Sequence, residues 1–298
     1  MSLLARALSE HAGAVRQWRY TFWAFSRNAS AMLGLLLVIL VLVVALFSPW
    51  IAPFPADATG AMNLSNKFRP PSLRHLFGTD EVGGDIFSRV VIGTRLSLGI
   101  GLSITSLAIM IGVPLGIAAG YLGGWPRMII MRLTDLFLSV PGLVLALAMV
   151  AAMGPGIGNT ILALALVWWP GYVRLVEAKA LTIRNEPYIE AARAVGAGHL
   201  RILFTHVLPN CISPIIVKGS MDVGLAILAA ASLGFIGLGA RPPAPEWGAM
   251  IAIGRTEMPA VWWYAFFPGL AIFVTVLGFN LFGDGLRDAL DPKSGRNA

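Results

Sequence analysis

Residues 186–209 read EPYIEAARAVGAGHLRILFTHVLP and form a polar, helix-favouring segment in a chain that is otherwise mostly apolar. The segment carries two acidic residues, two arginines and two histidines: Glu186, Glu190, Arg193, Arg201, His199 and His206. Apolar residues recur between them at spacings near three and four: Tyr188, Ile189, Val195, Leu200, Ile202, Leu203 and Phe204. This spacing is typical of a short amphipathic helix. We expect the segment to lie in a loop between membrane spans, with its apolar face against another surface.

Composition indicates that the rest of the chain lies in a membrane. The 298 residues are 57% hydrophobic and 12% charged, and the mean hydropathy is +0.76. A soluble domain carries about 25% charged residues, so half of the expected solvent-facing charge is missing. The single cysteine, Cys211, excludes an intramolecular disulfide. The net charge of +7 comes without a basic stripe interleaved with aromatic residues, so we expect no nucleic-acid partner.

Six apolar stretches are long enough to cross a hydrocarbon core of about 30 Å. We predict spans at about residues 31–51, 96–121, 131–153, 159–176, 213–238 and 261–282. The first stretch is too long for the apolar part of a signal peptide and lacks a small-residue cleavage site, so it is predicted to be a retained span. Gly112, Gly116 and Gly120 lie four residues apart in the second span, a spacing that permits close helix–helix approach.

The distribution of Lys and Arg predicts the orientation of these spans. Basic residues favour, by roughly two to one, the side that carries the N-terminal arm, the turn at 127–132, residues 174–201 and the tail. The positive-inside rule therefore places both termini and the 186–209 segment in the cytoplasm. The predicted fold class is an all-α membrane protein with six transmembrane helices.

Within the segment, the spacing of Glu190-Ala191-Ala192, Gly196 and Leu208-Pro209 resembles the EAA signature of bacterial ABC-importer permeases. In that family the signature is a short cytoplasmic helix that docks in a cleft on the ATPase subunit. The general form has Ile two residues before Leu-Pro, whereas His206 stands here, as in the His-x-Leu-Pro-Asn form common in the peptide-transport branch. The resemblance implies that the ATPase contacts include Tyr188, Glu190, Ala191, Ala192, Gly196, His206, Leu208 and Pro209.

The residue types suit this role. The small Ala191 and Ala192 allow close approach of a partner surface, and Gly196 permits a sharp bend between two short helices. Pro209 suits the first turn of the next helix. The alternative is an amphipathic helix that lies on the membrane surface.

Three further blocks extend the resemblance to most of the chain. They are FGTDEVGGDIFSRVVIGTRLS at 77–97, LGFIGLG at 233–239 followed by PAPEWGAM at 243–250, and GDGLRDALDP at 283–292. These blocks are similar to dipeptide, oligopeptide and nickel permeases, and in particular to the C-type subunit. Gly84 stands where the family usually has Arg. Asp80 and Asp85 are too few ligands for a calcium site, so we expect them to organise a turn and cap a helix.

Ionisable residues inside spans are functional candidates, because burying them in a membrane is costly. Asp222 lies in the fifth span with Lys218 one turn earlier, so the two side chains can pair on one helix face. They are predicted to form an intramembrane pair, to contact a partner permease, or to line a translocation path. Asp135 is expected to pair with Arg132 or Arg127. Glu177 is expected, with Arg174 and Lys179, to anchor the end of the fourth span at the membrane interface.

Several catalytic signatures are missing from the sequence. It contains no G-x-x-x-x-G-K-[ST] phosphate-binding loop, no H-E-x-x-H and no G-x-S-x-G. The chain is therefore expected to be a non-catalytic subunit without cofactor or metal, and ATP and Mg²⁺ would bind to partner ATPase subunits. A membrane-embedded enzyme is disfavoured for the same reason.

The resemblance implies a permease subunit of the type I ABC-importer fold in the bacterial inner membrane. Its expected partners are a second permease, two ATPase subunits, a periplasmic solute-binding protein, membrane lipid and a di- or oligopeptide cargo. The same machinery could carry a nickel complex, a D,D-dipeptide or glutathione. The rival class is a secondary transporter or channel driven by an ion gradient, which would need several midplane acids or broken helices in paired repeats.

The predicted organisation follows from these assignments. The chain divides into a cytoplasmic arm (1–28), a first span with a periplasmic loop (29–90), a core permease domain (91–283) and a cytoplasmic tail (284–298). The core contains a cytoplasmic coupling loop at 177–210 and a periplasmic loop at 239–260. The periplasmic loops are expected to meet the binding protein. Closure of the ATPases is expected to move spans three to five from an inward-facing to an outward-facing arrangement.

Overall fold

The computed structural model describes residue 23 and residues 25–290, and the regular structure of that part is helical. An isolated antiparallel bridge between Thr79 and Asp85 is the one β-pairing found in the same residues. Most of the predicted arm, 1–28, and residues 291–298 of the predicted tail lie outside the described residues. The all-α prediction is confirmed for the part that is described.

The main helices between residues 29 and 290 are α1 (Ala29–Ile51), α2 (Ile86–Leu122), α3 (Gly124–Leu138), α4 (Gly142–Met153), α5 (Ile157–Arg184), α6 (Pro187–Ala194), α7 (His199–Ile202), α8 (Leu208–Phe235), α9 (Trp247–Gly254) and α10 (Trp262–Leu290). A π-helical turn, Leu203–Val207, joins α7 directly to α8. Short 3-10 turns at Pro55–Thr59, Leu64–Asn66 and Arg255–Glu257 complete the described elements.

Five helical stretches of the described chain are long and apolar enough to cross a membrane. They are α1, α2, α5, the continuous stretch His199–Phe235 and α10. The pair α3 and α4 passes the same test only when its two helices are taken together, and the pair is bent by 87°.

The bend interrupts the span predicted at 131–153, which consists of two helices. The last regular hydrogen bond of α3 runs from the Ser139 N–H to the Asp135 carbonyl, at 3.0 Å. Pro141 then has no N–H to continue the helix, and its ring disfavours helical geometry at Val140. Pro141 itself becomes the N-cap of α4. Hydropathy alone did not reveal this break, because both halves are apolar.

Several helices continue beyond the predicted apolar stretches. α2 begins at Ile86, ten residues before the predicted start, because Asp85 caps it: its Oδ2 accepts the Ser88 N–H at 2.8 Å. α5 runs on to Arg184, so the predicted coupling loop at 177–210 begins inside a helix. Apolar length measures the membrane-crossing part, whereas caps determine where a helix ends.

The predicted loop at 239–260 contains a helix, α9, which neither hydropathy nor residue spacing predicted. Both carboxylate oxygens of Glu246 cap it, accepting the N–H groups of Gly248 and Ala249 at 2.8 Å each. Burial raises the pKa of the Glu246 carboxyl, and these two hydrogen bonds partly offset the rise. Trp247 is buried and donates its Nε1–H to the Val90 carbonyl at 3.1 Å, which fixes α9 against α2.

The long helices run between two ends of a bundle, with α2 and α5 parallel to each other. We call one the basic end: there α2, α5 and α10 finish and α3 and α8 begin. The Asn28 side chain donates to Asp288 at 3.3 Å, so α1 also begins at this end. At the opposite end, the Trp263 Nε1–H donates to the Thr79 carbonyl at 3.3 Å, and the Gly156 N–H donates to the Leu238 carbonyl at 3.1 Å.

Glycines bring α2 and α5 into close contact, as the four-residue spacing predicts. A Cβ atom at Gly112 would lie 2.6 Å from the Trp169 carbonyl oxygen, and one at Gly120 would lie 2.6 Å from the Glu177 carbonyl oxygen. Between them, a Cβ at Gly116 would lie 2.8 Å from the Cβ of Val176. All three glycines therefore face α5, at separations that leave no room for a side chain.

Replacing Gly116 with Ala is expected to destabilise the bundle, because the new methyl group would overlap Val176. Overpacking of this kind costs about 1–3 kcal/mol. Gly99→Ala is the matched control, since Gly99 lies in α2 with no atom within 4 Å of its Cβ position. Thermal unfolding of the purified protein should show a clear decrease in midpoint for Gly116→Ala only. Equal midpoints for the two variants would contradict this packing.

Candidate functional site

Residues 186–209 form a bent helical unit at the basic end. α6 starts at Pro187 and ends before Gly196, whose φ of +83° turns the chain toward α7. This conformation is readily adopted by glycine and rarely by other residues. The bend predicted at Gly196 is therefore present, and it separates two short helices as expected.

Buried apolar residues hold this unit on the bundle. Ile189, Ile202 and Val207 are fully buried and pack in one cluster with residues at the ends of α2 and α5. The cluster partners include Tyr121 of α2 and Ile183 of α5. The unit is thus attached to three helices of the bundle, α2, α5 and α8, through packing as well as through the chain.

The exposed residues of the unit include both charged and apolar side chains. Glu190 is exposed on α6, and Val195 is 84% exposed at its end. Leu200 is 71% and Phe204 66% exposed, and these two side chains border an apolar groove beside α2. Large apolar side chains left exposed together are typical of a surface that contacts another molecule.

The structure places each of the predicted coupling residues on or beside this unit. Tyr188, Glu190, Ala191, Gly196 and Pro209 are exposed, whereas Ala192, His206 and Leu208 are half-buried. The rings of Tyr188 and His206 approach to 5.9 Å between centroids, which brings α6 against the π-helical turn. Their role in contacting an ATPase stays a prediction.

Pro209 lies in the first turn of α8, but no loop precedes it. The Leu208 N–H donates to the Leu203 carbonyl, five residues back, and the π-helical turn links α7 and α8 into one stretch. The wider turn accommodates a proline that would otherwise clash with the preceding helical turn. The prediction that Pro209 lies in the first turn of the next helix is therefore confirmed, and that helix, α8, follows the π-helical turn without a loop.

Two contacts of the unit were missed by sequence reasoning. The Tyr121 hydroxyl lies 3.1 Å from Nδ1 of His199, and the Arg193 guanidinium lies 5.4 Å from the Tyr121 ring centroid. Tyr121 precedes the segment by more than sixty residues, so no local pattern could connect them. Both contacts tie the bent unit to the end of α2.

Ion pairs at the basic end differ from those expected. Asp135 pairs with Arg174 of α5 and not with Arg132 or Arg127, because α3 lies alongside α5. Glu177 is buried and pairs with Arg127 at 2.7 Å, so it is not an interfacial anchor. Pairing inside one helix was the local expectation, and tertiary packing replaced it with pairs between helices.

Lys218 and Asp222 pair on one face of α8, as their spacing predicts. Nζ of Lys218 lies 3.0 Å from Oδ2 of Asp222 and donates to Oδ1 at 3.2 Å. Both side chains line a cavity of about 770 Å³ that also includes Lys179 and Arg287. The cavity lies between α5, α8 and α10 and reaches the basic end.

A buried polar cluster occupies the opposite end. Asp80 and Arg89 form an ion pair that is almost fully buried, and Nδ1 of His75 lies 2.9 Å from Oδ1 of Asp85. Asp80 also accepts the Gly84 N–H at 2.7 Å. A Cβ at Gly84 would lie 2.9 Å from the Asp80 carboxylate. Asp80 and Asp85 thus organise a turn and cap a helix, as predicted.

The bend at Gly196 supports a second test. Gly196→Ala is expected to weaken the bent unit by about 1–2 kcal/mol, because alanine resists the left-handed conformation. Gly198→Ala is the control, since Gly198 has a φ of −67° and neither glycine has an atom within 4 Å of its Cβ position. Hydrogen exchange of amides 187–207 should accelerate roughly five- to thirtyfold for Gly196→Ala alone. Similar exchange in both variants would show that the bend is not constrained.

Groups of three or more potential metal ligands are absent from residues 25–290 and residue 23. The candidate functional features of that part of the chain are a surface at the basic end, a charged cavity beside it and a structured opposite end.

Comparisons with known proteins agree with this arrangement. A family described as "Binding-protein-dependent transport system inner membrane component" matches residues 112–296. A second family, "N-terminal TM domain of oligopeptide transport permease C", matches residues 16–71. Together the two matches include the bent unit, the cavity and the first span.

Three curated relatives are similar over nearly their whole length. The probable D,D-dipeptide transport system permease protein DdpC of Escherichia coli K12 is 46% identical, covering 97% of this chain and 98% of the relative. The di/tripeptide permease protein DppC of Pseudomonas aeruginosa is 47% identical, with 91% of each chain covered. The glutathione permease protein GsiD of Escherichia coli O6:K15:H31 is 48% identical, covering 94% of this chain and 92% of the relative.

The fold is similar to that of a solved transporter structure. It shows inward-facing conformations of the MetNI methionine ABC transporter, and the match has a TM-score of 0.52 at 21% identity. The match covers 68% of this chain and 97% of that chain.

Proposed function

The chain belongs to the family of binding-protein-dependent inner-membrane transport components, in its DppC/OppC-like branch, and we propose that it imports di- or oligopeptides using ATP hydrolysed by partner subunits. It is a multi-pass permease subunit of an ABC transporter. The peptide cargo is proposed from the names of its relatives, among which D,D-dipeptides and glutathione also occur.

The bent unit at 186–209 is the single observation that supports ATPase coupling most strongly. Its inner face is fixed by Ile189 and Ile202, and Glu190 and Val195 are exposed. A surface that is rigidly held and yet exposes polar and apolar side chains suits a contact with another protein. We assign this contact to the ATPase subunits.

The same geometry provides a route for transmitting motion. When ATP closes the ATPases, their displacement would act on the bent unit. The π-helical turn carries that displacement directly into α8, because no flexible loop intervenes. Packing of Ile189 and Val207 carries it into α2 and α5. The two conformations would then differ in the position of α8 relative to its neighbours, a rigid-body transition between two states.

Connectivity supports six spans with both termini in the cytoplasm. α2 ends at the basic end and α5 begins at the opposite end, so the pair α3 and α4 has to run from one end to the other. The broken pair would therefore act as the third of six spans. Residues 139–141 at the break are exposed in this chain, so a partner subunit would have to cover their irregular backbone. The excess of Lys and Arg at the basic end supports a cytoplasmic location for that end in the bacterial inner membrane.

The remaining partners follow from the same proposal. A second permease would complete the translocation path, and two ATPase subunits would supply ATP and Mg²⁺ sites that this chain does not provide. A periplasmic solute-binding protein would deliver cargo to the opposite end. There the turn around Asp80 and the helix α9 form structured elements that suit a docking platform.

Reconstitution tests the proposal directly. Vesicles that contain this permease, its second permease and the two ATPase subunits are supplied with the binding protein and a labelled dipeptide. ATP enclosed with the ATPases should drive accumulation that a protonophore leaves unchanged. Uptake that follows an ion gradient without ATP would support the secondary-transporter alternative and overturn the proposal.

A further inference from the structure

The cavity at the basic end has an unequal balance of charge. Its charged lining consists of three cations, Lys179, Lys218 and Arg287, and one anion, Asp222. Asp222 is bonded to Lys218, whereas Lys179 and Arg287 form no ion pair with any residue between 25 and 290. The cavity therefore carries an excess of about two positive charges near the pH at which cells work.

Lys218 is held deep in this cavity. Its Nζ reaches Asp222, which lies halfway along α8 and so about 21 Å from either end of the helix. The same Nζ lies 5.1 Å from the centroid of the Tyr172 ring. The Tyr172 hydroxyl is buried next to Asp222. These contacts hold the ammonium group away from the basic end.

The direction of Lys218 argues against a lipid ligand. A lysine that faces lipid extends its ammonium toward the headgroups at the membrane surface. Lys218 extends the other way, toward the middle of α8, where no headgroup phosphate is found. Its side chain is 33% exposed, so the ammonium remains accessible from the cavity. An anion that reaches it would therefore come through an aqueous path.

We propose that Lys218, with Lys179 and Arg287 nearer the mouth, forms a binding site for the terminal carboxylate of the peptide cargo as it leaves toward the cytoplasm. The inference rests on the proposed function, because it assumes that the cavity is part of the translocation path. Asp222 and Tyr172 act as positioning residues that hold Lys218 before cargo arrives.

The site would work by exchange of partners. When a carboxylate arrives, Lys218 gives up part of its contact with Asp222 and binds the carboxylate. The peptide ammonium can then take the place of Lys218 at Asp222, so no buried charge is left unpaired. The two outer cations attract the carboxylate onward. Binding at such a site has to be weak, because cargo must also leave it.

Thiol chemistry measures the charge of the cavity in the assembled transporter. Cys211→Ala removes the native thiol, and Ser213→Cys places a new one in the cavity lining. The control is Thr256→Cys, exposed at the opposite end between Arg255 and Glu257. Rates are measured for a negatively and a positively charged methanethiosulfonate reagent, each divided by its rate with a free thiol.

The cavity cysteine should prefer the anionic reagent over the cationic one by about tenfold relative to the control cysteine. Lys218→Gln and Arg287→Gln should each reduce this preference about threefold, and Lys67→Gln at the opposite end should leave it unchanged. Arg287 is exposed, so its variant keeps the test valid if Lys218→Gln assembles poorly. If neither Lys218→Gln nor Arg287→Gln reduced the preference for the anionic reagent, the proposed site would be wrong.

The ligand of the site is identified by whether a dipeptide protects the cavity cysteine from the reagent. Alanyl-alanine at millimolar concentration should slow the anionic reagent at Ser213→Cys, and alanyl-alanine amide, which lacks the carboxylate, should not. The result should be the same in phosphatidylcholine vesicles without anionic lipid. Equal protection by the two peptides, or a preference that requires anionic lipid, would overturn the proposal. Failure of ATP-driven uptake in the unsubstituted transporter would instead contradict the proposed function.

Discussion

Glu190→Lys is expected to reduce ATP-driven uptake by at least about tenfold while the permease unfolds at an unchanged temperature. Glu190 is exposed on α6, so the change removes no packing from the bundle. Its carboxylate lies on the face that we assign to the ATPase contact. Placing a like charge opposite a partner's charge costs several kcal/mol at an interface, and each 1.4 kcal/mol is about tenfold in affinity. Uptake is measured in vesicles, and ATPase retention is measured by co-purification.

Asp284→Lys is the matched control for this prediction. Asp284 is also an exposed acid at the basic end, but it lies on α10 and outside the bent unit. The control should retain both uptake and ATPase binding. If Glu190→Lys were indistinguishable from the control in both measurements, the assignment of the outer face of the bent unit to an ATPase would be wrong.

Arg89→Met is expected to have the largest effect on stability. Asp80 is completely buried and Arg89 nearly so, and the two side chains form an ion pair. Removing the guanidinium leaves a buried carboxylate with only the N–H groups of Val82 and Gly84 to bind it. Breaking a buried pair in this way costs about 3–5 kcal/mol. Thermal unfolding in detergent should show a larger decrease in midpoint for Arg89→Met than for Gly116→Ala or Gly196→Ala.

The exposed pair between Arg174 and Asp135 provides the comparison. Both side chains are about half exposed, and a solvent-accessible pair contributes about 0–1 kcal/mol. Arg174→Gln should therefore shift the unfolding midpoint only slightly. If both variants lowered the midpoint by the same amount, burial would not govern the strength of the Asp80–Arg89 pair.

Much of the fold could be predicted from local signals. Apolar length identified the candidate spans, and the spacing of Gly112, Gly116 and Gly120 identified a close helix contact. The break before α4 was missed because hydropathy averages over Pro141. Helix α9 was missed because eight residues between prolines read as a loop, and its stability depends on Glu246 and on burial of Trp247 against α2. That contact joins residues far apart in sequence.

The candidate site shows the same difference between features that local sequence reveals and features that depend on tertiary packing. Residues 186–209 and the Lys218–Asp222 pair could be identified because each is defined by residue spacing within a short stretch of sequence. The partners of Asp135 and Glu177, and the contacts of Tyr121 with His199 and Arg193, depend on which helices lie side by side. Sequence spacing carries no information on those pairings until the packing of α2, α3 and α5 is known.

Cross-linking from the bent unit tests the central claim most directly. In a Cys211→Ala permease, Val195→Cys places a thiol at a position that is 84% exposed on the outer face. A short thiol-reactive cross-linker is added to the assembled transporter, with Thr256→Cys at the opposite end as the control. The ATPase-contact proposal predicts a covalent product between the permease and an ATPase subunit from Val195→Cys alone. No ATPase product from Val195→Cys, or an equal yield from Thr256→Cys, would contradict it.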